Sequence, residues 1–422
     1  MSVSVSTDPR MANPAQLDRF RAVRSATDGL RAALTAEDQM VQSMPDCSPA
    51  KWHAAHTTWF FETFLLAQAA WYKPFDPRFR DVFNSYYKQV GEHPFRGDRG
   101  TFSHPTIEEV RQYREHVDAA MQRLISAGLT PQDSALVELG LNHEQQHQEL
   151  LLTDIKHAFW SQPLRPAYAQ AARGHAADAP PIQFLAFEGG PIEIGHDGRG
   201  FAFDNELPRH TEWMQPFALA SRLVTNAEYL EFIEDSGYAR PELWLSDGWD
   251  TVCRLGWKAP LYWEKNPAGA WTNFTLNGPH AVEPAEPVCH VSFYEADAFA
   301  RWAGARLPRE SEWEHAAASR AVAGNFVESR NYHPVTATGQ GLQQLFGDAW
   351  EWTASAYLGY PGFRPAEGAV GEYNGKFMCN QMVLRGGSCA TPQSHLRATY
   401  RNFFPPHARW QFSGVRLAHD ER

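Results

Sequence analysis

Residues 141–150 read LNHEQQHQEL, and His143-Glu144-Gln145-Gln146-His147 within them spells H-E-x-x-H. On a helix, residues four apart lie about 40° from each other on one face, so two imidazoles can reach one cation. In zinc peptidases this pattern sets the glutamate to activate a metal-bound water. The longer peptidase form, with a glycine and a third histidine downstream, is absent: Gln148, Glu149 and Leu150 follow His147. A third ligand must come from elsewhere. The stretch KWHAAHTTWFFE offers His53 and His56, three apart among apolar residues, and either can serve. His157 stands ten residues after His147, roughly 280° further round a helix, and points away. An all-imidazole set suits zinc, iron or copper alike, so spacing alone leaves the chemistry open.

Two further stretches carry reactive or recognition groups. In FNSYYKQVGEHPFRGDRG (83–100), Tyr86 and Tyr87 are candidate proton donors. Arg96 and Arg99 in the same stretch are candidates to clamp a carboxylate. The plainer reading is a surface loop with buried aromatics. In ATYRNFFPPHARWQFSGVRLA (398–418), Asn402 precedes Phe403 and Phe404, whose ring faces would suit a quaternary ammonium. Core packing is the alternative there.

The elements that must position these residues differ between the two halves. Residues 15–160 have apolar residues at helical spacing. Thr106 with Glu109 forms a capping box, Gly128 ends that helix, and Thr130-Pro131 starts the next, which carries the histidine pair. Four long helices, with one longer insertion near 73–105, predict a four-helix bundle with a metal site facing inward. Residues 163–182, rich in Pro and Ala, read as a linker. Beyond them come short apolar runs broken by Gly, Pro, Asn and Asp, with helix-like patterns only in TNAEYLEFIEDSG, YEADAFARWAG and RESEWEHAAAS. The expected fold class is α+β, divided at 1–162, 163–182 and 183–422.

Composition narrows the partners. A length of 422 residues favours two domains, and a formal net charge of −11 argues against nucleic acid or an anionic membrane. No basic-then-apolar secretory leader is visible, and WFFETFLLAQAAWY (59–72) is too short to span a bilayer and contains Glu62. Five cysteines without a C-x-x-C fit reduced thiols, so a soluble cytoplasmic protein is expected.

Taken together, KWHAAHTTWFFE, FNSYY, HEQQHQELLLTDIKH and LRPAY resemble the DinB-like helical domain of the EgtB family, the ergothioneine-pathway sulfoxide synthases. The pieces ASRLVTNAEYLEFIE, PVCHVSFYEADAFARWAGARLPRESEWEHAA, LFGDAWEWTAS and RATYRNFFPPHARWQFSGVRLA are similar to the formylglycine-generating-enzyme-like (C-type-lectin-like) domain that follows in that family. The resemblance runs from about residue 15 to 418 and argues against a peptidase. It implies an Fe(II) centre at His56, His143 and His147, with O2 as co-substrate and His53 as a neighbour. It also implies that Tyr86 and Tyr87 are the tyrosine pair of the cysteine-using branch. Gln146, Asn402, Phe403 and Phe404 then bind the acceptor, and Arg96 and Arg99 belong to the same substrate loop.

The reaction so implied joins a thiol, cysteine or gamma-glutamylcysteine, to C2 of the hercynine imidazole. A selenoneine synthase, taking a selenosugar as donor, is the close alternative. An OvoA-like enzyme, a non-catalytic betaine-binding protein and a zinc peptidase are more distant. Formylglycine formation is not expected. Cys389 follows the RGGS segment, but the stretch after it supplies no second cysteine.

Overall fold

Helix α1 (Pro14–Arg31) starts where the Asn13 side chain accepts the Gln16 N–H and a proline fills the first helical position. Helix α2 (Ala50–Phe64) lies at the centre of the N-terminal half: every residue from Ala50 to Glu62 is buried. The chain then loops through the short α3 (Phe79–Val82) and a 3-10 turn at Arg96–Thr101. The capping box expected at Thr106 is formed, and it opens α4 (Ile107–Ser126). Gly128 takes a positive φ of 94° after that helix. Helix α5 (Pro131–Ser161) follows, with the Thr130 hydroxyl accepting the Asp133 N–H. The computed structural model describes residues 13–170 and 178–421. It divides into two compact units, Met1–Ala158 and Phe159–Arg422. Among the described residues, no helix is long and apolar enough to cross a membrane.

In the first unit, α1, α2, α4 and α5 are the four long helices. Helix α5 packs tightly on α2 at Gly140. A Cβ built there would stand 2.6 Å from Phe61 and 2.9 Å from Phe60, and both rings are at most 1% exposed. A mid-helix glycine costs about 1 kcal/mol against alanine, so close packing is what the residue contributes here.

The second unit combines several small sheets with short helices. Strands β1 (Phe184–Phe187), β4 (Phe217–Ala220) and β12 (Ala418–Asp420) form one antiparallel sheet; β2 (Gly190–Ile194) and β3 (His210–Met214) pair beside it in sequence. Helices α6 (Asn226–Glu234), α8 (Phe293–Trp302) and α9 (Glu310–Ala317) coincide with the three helix-like patterns, and Thr225 and Ser292 cap the first two with capping boxes. Helix α7 (Ser246–Leu255) was not anticipated, because Gly248, Thr251 and Val252 weaken its helical signal. Strands β5 (Trp263–Lys265), β6 (Trp271–Thr275) and β7 (Gly278–Ala281) make a third sheet. The fourth has the order β10-β9-β8-β11, from β8 (Trp350–Ala356), β9 (Met382–Arg385), β10 (Asn402–Phe404) and β11 (Ser413–Gly414), with the short α10 (Glu372–Gly375) in the connection from β8 to β9. Helical bundle and sheet-rich unit together make the α+β class expected.

Of the stretch 163–182, residues 171–177 lie outside the described residues. On either side, the Tyr168 and Ala169 N–H groups donate to the Leu276 carbonyl, and the Pro180 carbonyl accepts from Arg222.

Replacing Gly140 by Ala should lower stability by about 1–3 kcal/mol through overpacking, despite the better helix propensity of alanine. A urea midpoint equal to or above that of the wild type would contradict the close-packing role.

Candidate metal centre

Helix α2 contributes His56, and α5 contributes His143 and His147. Their ligating atoms all lie within 4.8 Å of one another, and the three ring centroids are 4.6–5.0 Å apart. Each ring is held from behind. The His56 imidazole lies nearly parallel to Trp52 at 4.5 Å and to Trp59 at 5.4 Å, and its Nδ1–H donates to the Phe83 carbonyl at 2.6 Å. Residues 52, 56 and 59 follow the i, i+4, i+7 spacing of a single helix face. His143 packs against Phe60. His147 Nδ1 lies 2.8 Å from Nδ1 of His53, so the residue expected only as a neighbour is bonded directly to the triad.

Burial keeps all three rings neutral. Desolvation, then the adjacent His143, holds His56 well below the usual imidazole range. Desolvation, then His143 and His56, does the same to His147, and desolvation lowers His143 to about 4. Nδ1 of His143 is buried with no hydrogen-bond partner. Three neutral imidazoles and an unpartnered buried ring nitrogen fit a divalent first-row transition metal, including iron.

Glu144 has a different task. It is fully buried, and its carboxylate accepts from Arg24 at 2.8 Å, from Arg114 at 2.7 Å and from the Thr27 hydroxyl at 2.6 Å. Although burial opposes ionisation, the two guanidinium groups win and hold the carboxyl down at about 2. A carboxylate so occupied ties α1 and α4 to α5, and held at so low a pKa it is a poor base for water. The peptidase reading of the motif fails on this point. His157, as expected, points elsewhere, to the Ser43 hydroxyl at 2.6 Å.

The loop 83–100 places its candidates unequally. Arg99 is 4% exposed, and its guanidinium lies 3.5 Å over Trp52 and donates to the Ser48 and Ser85 hydroxyls at 3.0 and 2.8 Å. Among the described residues no carboxylate pairs with it. Desolvation lowers it to about 9, so it stays cationic at neutral pH. Arg96 donates to the Tyr86 hydroxyl at 3.3 Å and to the Asp46 carbonyl, while its Nε is buried without a partner. Tyr87 is buried, with its ring against Trp59 and Phe64. Gln146 is half-buried on α5, one residue before His147.

In the second unit, Asn402, Phe403 and Phe404 form β10 itself. The preceding residue, Arg401, is buried and holds Glu310 with two bonds of 2.9 Å, which fixes the start of the strand. Side chains alternate along a strand, so Asn402 and Phe404 share one face and Phe403 takes the other. Phe403 stacks on Tyr357 at 4.1 Å, and Phe404 meets Trp410 edge-on at 5.9 Å. The two phenylalanines therefore present their rings on opposite faces of β10. Sequence reasoning also missed Trp52 and Trp59, which the i, i+4, i+7 spacing about His56 would have revealed.

Comparison with known proteins bears on both units. The model of the sulfatase-modifying factor enzyme 1-like domain matches residues 170–421. A hercynine oxygenase of Mycolicibacterium thermoresistibile is 31% identical, covering 89% of this chain and 88% of its own length. The hercynine oxygenase of Mycobacterium tuberculosis is likewise 31% identical, over 89% of this chain and 92% of that protein. A formylglycine-generating enzyme of Streptomyces coelicolor is 29% identical over only 55% of this chain and 87% of its own.

Glu144→Gln should cost about 3–5 kcal/mol at neutral pH, because it leaves two buried guanidinium groups poorly paired. The folded-state pKa is depressed from 4.5 to about 2, so this stability is fully present above about pH 4.5 and is lost as the pH falls through about 2. Denaturation midpoints of the two proteins should therefore differ widely at pH 7 and converge in strong acid. Equal midpoints at pH 7 would remove the carboxylate from its structural role.

Proposed function

The chain belongs to the hercynine oxygenase family, and from that premise we propose that it joins a cysteine-type thiol to C2 of the hercynine imidazole at an Fe(II) held by His56, His143 and His147. The observation that carries this reading is the convergence of three imidazoles, His56 and His143 buried and His147 half-buried, beside a glutamate already consumed by ion pairs. The overall change balances as thiol plus imidazole C2–H plus O2 giving sulfoxide plus water. Fe(II), when bound, supplies open positions for thiolate and O2 and the capacity to pass electrons between them.

The residues of the chain bind, orient and handle protons. Arg99 and Arg96 present a desolvated cation and an unfilled N–H donor, which favour a donor bearing a carboxylate, and so an amino-acid thiol over a selenosugar. Gln146 supplies an amide that can both donate and accept toward the acceptor imidazole or its carboxylate. Asn402 and Phe404, on one face of β10, are assigned to the acceptor, with Phe403 supporting the strand through its stack on Tyr357. A trimethylammonium offers no hydrogen to donate, so its recognition rests on aromatic and dipolar surfaces. The hydroxyls of Tyr86 and Tyr87 are assigned to hold the proton that steers the oxidation toward the C–S bond.

The test loads the protein with Fe(II) under nitrogen, admits O2 with hercynine and either cysteine, gamma-glutamylcysteine or a selenosugar, and weighs the products. A sulfoxide formed from a thiol is expected; no C–S product, or product from the selenosugar alone, would contradict the proposal. By calorimetry under nitrogen, hercynine should bind at least about tenfold more tightly than histidine, or about 1.4 kcal/mol. Equal affinities would rule out selective recognition of the betaine.

Removing the active tyrosine hydroxyl should shift product from sulfoxide to the sulfinic acid of the thiol while leaving substrate affinity nearly intact. An unchanged ratio in both Tyr86→Phe and Tyr87→Phe would exclude the proton role.

A further inference from the structure

Asp154 lies seven residues after His147, two turns along the same face of α5. Between them, from α2, stands His53. Its Nδ1 is 2.8 Å from Nδ1 of His147, and its Nε2 is 3.0 Å from Oδ2 of Asp154. The same Oδ2 accepts the Ser48 N–H at 2.7 Å. His53 is 2% exposed and Asp154 5%, so neither is a surface group in casual contact. Resting on the three-imidazole reading of the metal centre, we propose that Asp154 and His53 form a positioning relay that decides which nitrogen of His147 is offered to the metal.

The polarity of the chain follows from what each group can do. An ionised carboxylate accepts hydrogen bonds and has none to donate, so His53 carries its hydrogen on Nε2. With its hydrogen on Nε2, His53 offers a lone pair at Nδ1. The contact with His147 must be donated by His147 Nδ1–H, which leaves the lone pair of His147 on Nε2. The Phe83 carbonyl imposes the same tautomer on His56. Two of the three ligands are thus set as Nε2 donors by an acceptor placed behind Nδ1. Carboxylates and carbonyls in that position orient metal-binding histidines and raise their basicity. Here an intervening imidazole extends the reach of Asp154 by one ring. His53 is a positioning residue rather than a ligand.

The competing explanation is a buried polar pair that only supports folding. Fe(II) calorimetry under nitrogen on the full chain separates the two, together with thermal midpoints of the metal-free proteins. His53→Leu should weaken Fe(II) binding by about 10–100-fold. His53→Gln should recover most of that loss, because its amide oxygen can accept from His147 while its nitrogen donates to Asp154. Changing both residues, His53→Leu with Asp154→Leu, removes the pair together but leaves the Ser48 N–H without its acceptor, so metal-free stability should fall, with Fe(II) still bound weakly. The relay is overturned if either leucine variant binds Fe(II) as tightly as the wild type. It is equally overturned if the glutamine variant binds as poorly as His53→Leu. Tight Fe(II) binding by His56→Ala would instead show that the triad itself is misassigned, which is a separate failure.

Discussion

Two helices packed without room for one methyl group between them carry the candidate metal centre. The contact of Gly140 with Phe60 and Phe61 brings α5 against α2 one turn before His143, where imidazoles from the two helices converge. The rest of the first unit follows from the rotation of α5. Positions 140, 143, 147 and 154 turn toward α2, where they meet Phe61, His56 and His53. Positions 144 and 148 turn toward α1: Glu144 takes Arg24 and Thr27, and Gln148 donates to the Val23 carbonyl. A motif that in a peptidase serves one face is here divided between two, with the proposed metal ligands on one and an ion-pair hub on the other.

Charge is distributed to match. Glu144 is balanced by Arg24 and Arg114, which themselves reach Asp118 and Asp28. The imidazoles are neutral, and Asp154 is bonded to His53 and the Ser48 N–H. Arg99 is left as a buried cation held by hydroxyls and an indole face, with no carboxylate paired to it among the described residues. Burying an unpaired charge is costly. Such a cation suits the anionic ligand proposed above, and one indole touches both groups: Trp52 bears Arg99 at 3.5 Å and lies parallel to His56.

What was legible in the sequence is what local spacing determines. The Thr106 capping box, the start of α5 at Thr130-Pro131 and the i, i+4 pairing of His143 with His147 each depend on residues a few positions apart. The choice between His53 and His56 was not legible from spacing, because the two sit three apart on one helix and only the placement of α5 sets His56 in the cluster with His143 and His147 and His53 against His147 and Asp154. Nor were the partners of Glu144, which lie 120 and 30 residues away in Arg24 and Arg114. In the second unit, β12 pairs with β4 some two hundred residues earlier, a register that no short-range pattern contains. Adjacent Phe403 and Phe404 invite the idea of a shared aromatic wall, whereas strand alternation places them on opposite faces.

X-ray absorption at the iron edge, on Fe(II)-loaded protein under nitrogen, tests the three-imidazole centre most directly. Three protein imidazoles should dominate the outer-shell scattering, with light oxygen or nitrogen atoms completing the first shell. Adding cysteine should introduce a single sulfur neighbour without displacing an imidazole. A first shell that contains sulfur before cysteine is added, or that shows fewer than three imidazoles, would contradict the centre described here.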